Sequence, residues 1–273
     1  MPVNSAQQFG VVVTGDELLS GKRTDKHLPR VIGALQQRGM RVAWSRLVGD
    51  DRQRLVRELQ LTQQDDIPVL CFGGIGATPD DHTRQAAAEA FGVALVRHPA
   101  AMDMIERQFG AAAYPDRARM ADLPEDCLLI PNAVNNIPGF TLYDHHFLPG
   151  FPLLAWPMLD WVLDSYYPAN AQRCVERSVR VQGVRESDPL RLMEALSRRH
   201  PDAKLFSLPH MAAVNSIELG FRGAQGAVET ALADLKAALT NRALDFEVLV
   251  NDAAHQPLAC THPASGAACS VSG

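Results

Sequence analysis

The sequence predicts an α/β domain with a largely parallel sheet followed by a small α+β domain, and three observations carry that prediction. From Phe9 to about Asp164, short β-rich runs alternate with amphipathic stretches, the pattern of layers in which helices cover a parallel sheet. The run Ile67–Phe72 is apolar throughout, as a strand buried on both faces requires. Beyond residue 173 the periodicities restart in the order β-α-β-β-α-β, the split βαβ arrangement of a small α+β sandwich.

Phe9–Val13 reads as the first strand. Asp25 can cap a helix in which Leu28, Val31, Ile32 and Leu35 recur at i, i+3, i+4 and i+7, with Pro29 in its first turn and Gly39 at its end. Val42–Val48 reads as a strand and Arg52–Leu61 as a helix. After Ile67–Phe72 come a glycine loop, a helix, and another helix near Met102–Gly110. Short strands at Leu128–Ile130 and Phe140–Tyr143, a turn at Leu148–Pro152 and a helix to about Tyr166 complete a domain of residues 1–168. Pro168–Gln172 reads as a linker.

The second domain, 173–250, opens with a strand at Val175–Val181 and a helix capped by Ser187 or Asp188 with Pro189 in the first turn. Strands Lys204–Leu208 and Val214–Phe221 follow, then a helix carrying Val228, Leu232, Leu235 and Leu239, and a last strand through Leu244, Phe246, Val248 and Val250. Residues 251–273, rich in Ala, Ser, Gly, Pro and His, are expected to form a disordered tail.

Composition narrows the function classes. With 273 residues, 47% hydrophobic and 21% charged, the chain is long enough for a real core and sits near the globular average. It has neither an apolar run of membrane-spanning length nor a signal-peptide pattern at Met1–Gln8, so a cytoplasmic location is expected. Twenty-six basic against 31 acidic side chains, with no clustered basic patch, argue against nucleic acid. The five cysteines, Cys71, Cys127, Cys174, Cys260 and Cys269, lack CxxC spacing and read as reduced thiols.

The strongest chemical signal is Gly73-Gly74-Ile75-Gly76-Ala77-Thr78-Pro79-Asp80-Asp81-His82-Thr83, between the buried strand and a helix. Glycines leave backbone N–H groups open to an anion; Thr78 can cap the helix, Pro79 suits its first position, and the helix dipole adds positive potential. Neither a Walker loop nor a GxGxxG fingerprint is present. Asp80 and Asp81 oppose a bare phosphate: a carboxylate about 5 Å from a phosphate oxygen repels it by roughly 3 kcal/mol at an effective dielectric near 20. A cation such as Mg²⁺ between them would remove the conflict, making Asp80 and Asp81 candidate metal ligands.

A second cluster, Thr14-Gly15-Asp16-Glu17-Leu18-Leu19-Ser20-Gly21, also ends an apolar strand, where open α/β sheets place their ligands. If the two strands are parallel neighbours, Asp16 and Glu17 face the glycine loop across one crevice. Asn135-Asn136-Ile137-Pro138-Gly139-Phe140 and Leu148-Pro149-Gly150-Phe151-Pro152 supply turns that could wall it. Asp144-His145-His146 hints at a metal site, but successive strand residues face opposite ways, and a wet hairpin tip is expected instead. Gly223-Ala224-Gln225-Gly226 has the GxxG form of an RNA-clamping loop but joins a strand to a helix and reads as a turn.

Together, GDELLSG at Gly15–Gly21, GGIGATPDDHT at Gly73–Thr83, NNIPGF at Asn135–Phe140 and LPGFP at Leu148–Pro152 resemble the competence/damage-inducible protein A (CinA-like) family over about residues 9–165. The resemblance implies a three-layer α/β/α molybdopterin-binding-like domain that binds a phosphorylated pterin or nucleotide, with molybdopterin among the candidate ligands. For 173–250 it implies a K homology-like unit, and no counterpart of the family's C-terminal amidase domain is expected. Carried over by position, Asp16, Glu17, Asp80 and Asp81 would be catalytic or metal-organising acids, with Asp80 and Asp81 on Mg²⁺ or another divalent cation. Gly73, Gly74, Gly76 and Thr78 would cradle phosphate, with Thr14, Gly15, Thr83, Pro138, Gly139, Pro149 and Gly150 around the ligand.

The chain departs from the family pattern in four places. Gly76-Ala77-Thr78 stands for the usual GPT, Asp25-Lys26-His27 for a segment with Asn after an Asp-Thr pair, and Asn135-Asn136-Ile137 for Gly-x-Ala. Leu153 and Leu154 stand where an acid commonly follows LPGxP. The readings are a ligand-binding protein, preferred because phosphate binding tolerates these changes better than hydrolysis; a metal-dependent nucleotide pyrophosphatase acting on ADP-ribose-like substrates; and a non-catalytic oligomerisation module. A homodimer or trimer, without nucleic acid or membrane partners, is expected.

Overall fold

The computed structural model describes residues 8–168, 174–184, 188–210 and 215–249, which fall into two compact units divided between Cys174 and Val175. Residues 169–172 of the linker, Ser187, Val214, Val250 and the expected tail lie outside the described residues.

The first unit runs β1 (Gln8–Thr14), α1 (Asp16–Leu19), α2 (His27–Gln37), β2 (Arg41–Val48), α3 (Arg52–Thr62), β3 (Val69–Phe72) and α4 (Thr83–Phe91). It continues with β4 (Leu95–Arg97), α5 (Pro99–Phe109), 3₁₀ turns at Gly110–Ala113 and Arg117–Ala121, β5 (Asp122–Pro124), β6 (Leu128–Ile130), β7 (Gly139–Leu142), β8 (His145–Leu148) and α6 (Pro152–Tyr166). A six-stranded sheet has the order β2-β1-β3-β8-β7-β6. Its first four strands pair in parallel and β7 alone is reversed, antiparallel to both β8 and β6, so the sheet is mostly parallel as expected.

The helices follow local chemistry. The Asp25 carboxylate accepts from His27 N (2.8 Å) and Leu28 N (3.0 Å) and so caps α2, whose Val31 and Leu35 are buried while Ile32 is 37% exposed. Asp51 caps α3 through Arg54 N (2.7 Å). Two apolar clusters form on the unit. One joins Val12, Cys71 and Phe147 to α3, α4 and α5; the other joins Val11, Leu70 and Leu148 to α2 and α6. Each fully buried Phe or Leu in these layers contributes about 1.5–3 kcal/mol of transfer free energy.

Two features depart from expectation. β4 and β5 form a separate antiparallel pair that no alternation announces, because Leu95, Val96 and Arg97 are all exposed. Asp144-His145-His146 is not a wet tip: Tyr143 and Asp144 make the turn, while His145 and His146 belong to β8 and are 4% and 2% exposed. Strand β8 pairs with β3 on one side and β7 on the other, and that enclosure removes its histidines from water.

The second unit runs β9 (Cys174–Gln182), α7 (Leu190–Arg199), β10 (Ala203–His210), β11 (Ser216–Ala224), α8 (Gln225–Asn241) and β12 (Phe246–Leu249), the expected β-α-β-β-α-β order. Its sheet has the order β10-β11-β9-β12, with the β10/β11 and β9/β12 pairs antiparallel. Val179, Val181, Ile217, Leu219 and Phe221 pack against Leu192, Leu196, Val228, Leu232 and Leu235 of the two helices. The Gly223–Gly226 segment spans the junction of β11 and α8. Among the described residues, no helix is long and apolar enough to cross a membrane.

Candidate functional site

Parallel pairing brings the carboxyl ends of β2, β1, β3 and β8 to one edge of the first sheet. The ladder continues past the strands: Gly15 N donates to Val48 O (3.0 Å) and Gly73 N to Leu148 O (3.0 Å). β1 and β3 are parallel neighbours, so Asp16 and Glu17 lie at the same edge as the glycine loop. Crowding accounts for two of the glycines, from backbone at Gly73 and from a side chain at Gly76. A Cβ on Gly73, at φ +104°, would sit 2.5 Å from Thr14 O, and one on Gly76 would sit 2.5 Å from the Asp81 carboxylate.

The loop divides its donors. Gly73 N is committed to the sheet, and Thr78 N donates to Asp81 Oδ2 at 2.8 Å. The N–H groups of Gly74, Ile75, Gly76 and Ala77 meet no acceptor among the described residues. Helix α4 starts at Thr83 with His82 before it, so Thr78 does not cap it and Pro79 lies ahead of it. The reason is local: Asp81 draws in both the N–H and the hydroxyl of Thr78, and Asp81 N returns to Thr78 O (3.0 Å), closing a separate turn. Thr83 N donates to Gly74 O (3.0 Å), and the Thr83 hydroxyl is buried beneath Gly74 without a partner among the described residues.

The acids are not equivalent. Asp80 is fully exposed, and the Thr78 hydroxyl, its own backbone and His82 hold its carboxyl below the usual range. Asp16 and Asp50 bond reciprocally, Asp16 N to Asp50 Oδ2 (2.9 Å) and Asp50 N to Asp16 Oδ1 (3.2 Å). Burial raises the Asp50 carboxyl above its ordinary value, and the charges of Asp16, Glu17 and Asp80 push the same way, although the Asp16 N–H opposes them. Asp50 was missed from sequence, yet Val48-Gly49-Asp50 repeats the strand-glycine-acid pattern of Thr14-Gly15-Asp16. Among the described residues, no three His, Cys, Asp or Glu side chains are grouped to hold a metal ion.

Beside the loop lies a cavity of about 460 Å³ whose apolar wall is Val13, Leu18 and Phe72 and whose polar rim includes Thr14, Glu17, Arg23, Lys26, His27 and Gly150. His27, a second residue that sequence reasoning passed over, stacks on Phe72 with centroids 4.5 Å apart, and its Nε2 lies 2.9 Å from Gly150 O. Burial lowers its pKa, outweighing the Gly150 carbonyl and Asp25, which favours the neutral ring. A neutral ring facing a carbonyl carries its proton on Nε2, which leaves Nδ1 a buried acceptor without a partner.

The remaining expected residues lie at the start of β7 and in the turn that follows β8. Pro138 and Gly139 are buried, and a Cβ on Gly139 would meet Phe147 O at 2.4 Å. Pro149 is half-buried and Gly150 exposed, with a Cβ there 3.3 Å from Gly73 Cα, so the two turns touch.

Residues 10–169 match the family described as the probable molybdopterin binding domain. A CinA-like protein of Geobacter sp. (strain M21) is 33% identical over 198 residues, covering 68% of this chain and 47% of that protein. The CinA-like protein of Geobacter sulfurreducens is 37% identical over 153 residues, covering 54% and 37%. The chain spans about half the length of the first of these relatives. Among solved structures, the CinA protein of unknown function from Thermoplasma acidophilum superposes with a TM-score of 0.55 at 26% identity, over 60% of this chain and 99% of that one. Four motifs in order, the mostly parallel sheet and these matches agree: the chain belongs to the CinA-like proteins that carry the probable molybdopterin binding domain.

Proposed function

We propose that the carboxyl edge of the six-stranded sheet binds a phosphorylated pterin, such as molybdopterin, or a nucleotide. Its phosphate lies on the Gly73–Thr78 loop and its ring system in the cavity beside Phe72 and His27. The observation that carries this reading is the run of four N–H groups, Gly74 to Ala77, without an acceptor among the described residues. Backbone donors that the fold leaves unpaired at a strand-to-helix turn suit an anion. A cavity with an apolar floor and a few polar rim groups suits a planar ring. Thermal shift over nucleotides, pterins and inorganic pyrophosphate tests it. A ligand at 100 times its dissociation constant adds about 2.7 kcal/mol of stability, and no shift with any of them removes the reading.

A second reading is favoured by the convergence of acids. The charges of Asp16, Glu17 and Asp80 all act on Asp50 at the same edge, which suits divalent-metal-dependent pyrophosphate hydrolysis. Three side-chain ligands are not preassembled, so Mg²⁺ or a similar cation would arrive with the substrate phosphates and take one or two carboxylates, Asp80 first and Asp81 once released from Thr78. Assays of ADP-ribose and FAD with and without Mg²⁺, Mn²⁺ and Co²⁺ separate the two readings. Metal-dependent turnover abolished in Asp80→Asn/Asp81→Asn selects hydrolysis, and binding without turnover selects the first.

For the second unit we propose a role in homo-oligomer assembly, because its sheet buries one face under two helices and leaves edge strands β10 and β12 free to pair. Light scattering of the full chain tests this; a monomer at all concentrations excludes it.

A further inference from the structure

Arg84 lies in the first turn of α4, is 3% exposed, and was not singled out by its sequence context. Its guanidinium bonds are all to backbone carbonyls. Nη2 donates to Gly76 O at 2.6 Å, and Nη1 donates to Asp122 O at 3.1 Å and to Arg119 O. Its Nε is buried without a partner among the described residues. The carboxylates that act on it, Asp81 and Asp122, are each committed elsewhere: Asp81 to Thr78 and Asp122 to Arg97.

A guanidinium keeps its proton in any protein interior, so a full positive charge sits beneath the loop, solvated by neutral oxygens alone. An apolar side chain would fill such a place at less cost, since a buried charge without a direct counter-ion is unfavourable. The contact with Gly76 has a further effect. In a planar trans peptide the carbonyl of one residue and the N–H of the next point in opposite directions. With Gly76 O drawn inward to Nη2, the Ala77 N–H points away from the interior, to the side where it meets no acceptor among the described residues.

We infer that Arg84 is a positioning residue for an anion on this loop: it turns the Ala77 N–H outward through the Gly76 carbonyl, and its buried charge adds to the potential that receives a phosphate or pyrophosphate group. The inference rests on the phosphate-binding reading above and names a side chain outside the loop on which that binding depends. Arg84 also ties the loop to the Arg119–Asp122 segment, so a purely structural role is the competing account.

The test uses the full chain, inorganic pyrophosphate as the probe, and the variants Arg84→Lys and Arg84→Gln. Titration calorimetry should show pyrophosphate affinity falling about tenfold or more in Arg84→Gln, with an intermediate affinity, below wild type, in Arg84→Lys, which keeps the charge and loses the fork. The ¹⁵N–¹H resonance of Ala77 should move on pyrophosphate addition in the wild type and stay still in Arg84→Gln. A merely structural Arg84 would lower the ligand-free melting temperature of both variants and leave pyrophosphate affinity intact, and that result overturns the inference. If Arg84→Gln does not fold, Arg84→Lys decides alone: unchanged affinity together with an unchanged Ala77 resonance overturns it. Failure of the wild type to bind pyrophosphate overturns the inference and the phosphate reading together, whereas equal binding by wild type and variants overturns the inference alone.

Discussion

The two ends of strand β8 have opposite fates. At its start, His145 meets Thr62 Oγ1 at 2.8 Å, and His146 is held between Thr141 Oγ1 (2.9 Å) and Tyr167 Oη (2.7 Å). At its end, beyond Leu148, backbone turns approach one another and four amides of the neighbouring loop stay unpaired. The end rich in imidazoles is sealed core, and the end built from glycine backbone is the candidate site. Side chains that can pair with one another are enclosed at low cost, whereas a loop whose carbonyls and amides face different ways keeps donors available to a ligand.

Acid should break the sealed end first. Burial holds the His145 pKa down to about 4 and, aided by His145, that of His146 to about 3. Unfolded histidines titrate near about 6.5, so below that pH the unfolded chain takes up protons the folded chain refuses, and stability falls as pH drops toward 4. From pH 6.5 to 4.5 the pair should lose about 4 kcal/mol, read by urea unfolding at the two pH values, and a flat profile contradicts the sealed state. Replacing His146 with Ala at neutral pH should cost about 3 kcal/mol, because it opens a cavity and leaves the Tyr167 and Thr141 hydroxyls unpaired.

Changes at the open end should cost less stability and more binding. Gly73→Ala should destabilise by about 2 kcal/mol, from positive φ and contact with Thr14 O, and should remove the pyrophosphate-induced rise in melting temperature. Gly21→Ala is the control: it has positive φ but nothing within 4 Å of the added Cβ, and should cost about 1 kcal/mol with the ligand response intact. The smallest stability effect is expected for Asp80→Asn. It should leave the melting temperature unchanged and raise pyrophosphate affinity several-fold without a divalent cation, because it removes an exposed charge beside the anion. Weaker binding of pyrophosphate in the presence of Mg²⁺ would instead mark Asp80 as a ligand of the cation.

Much of this was legible because it is local. Asp25 caps α2 wherever the helix packs, the apolar run at Val69–Phe72 is a strand because both its faces are covered, and the glycine loop announces itself by residues that no helix or strand interior favours. The His pair was misread because period-two alternation says which residues share a face but not whether both faces of a strand are covered. Helix α4 began later than its Thr-Pro signal suggested because a carboxylate three residues on competed for the same donors.

The sequence by itself determined the element order, the mostly parallel sheet, the family and the place of the glycine loop between strand and helix, since each depends on residue type and near-neighbour spacing. Only the tertiary structure decided that Asp50 joins Asp16 across 34 positions, that His27 closes the cavity on Phe72 and Gly150, and that Arg84 reaches under Gly76 from α4. Those contacts arise from strand order and helix packing, so the same residues in the same sequence would be ordinary surface or core groups had β1, β3 and β8 not been placed side by side.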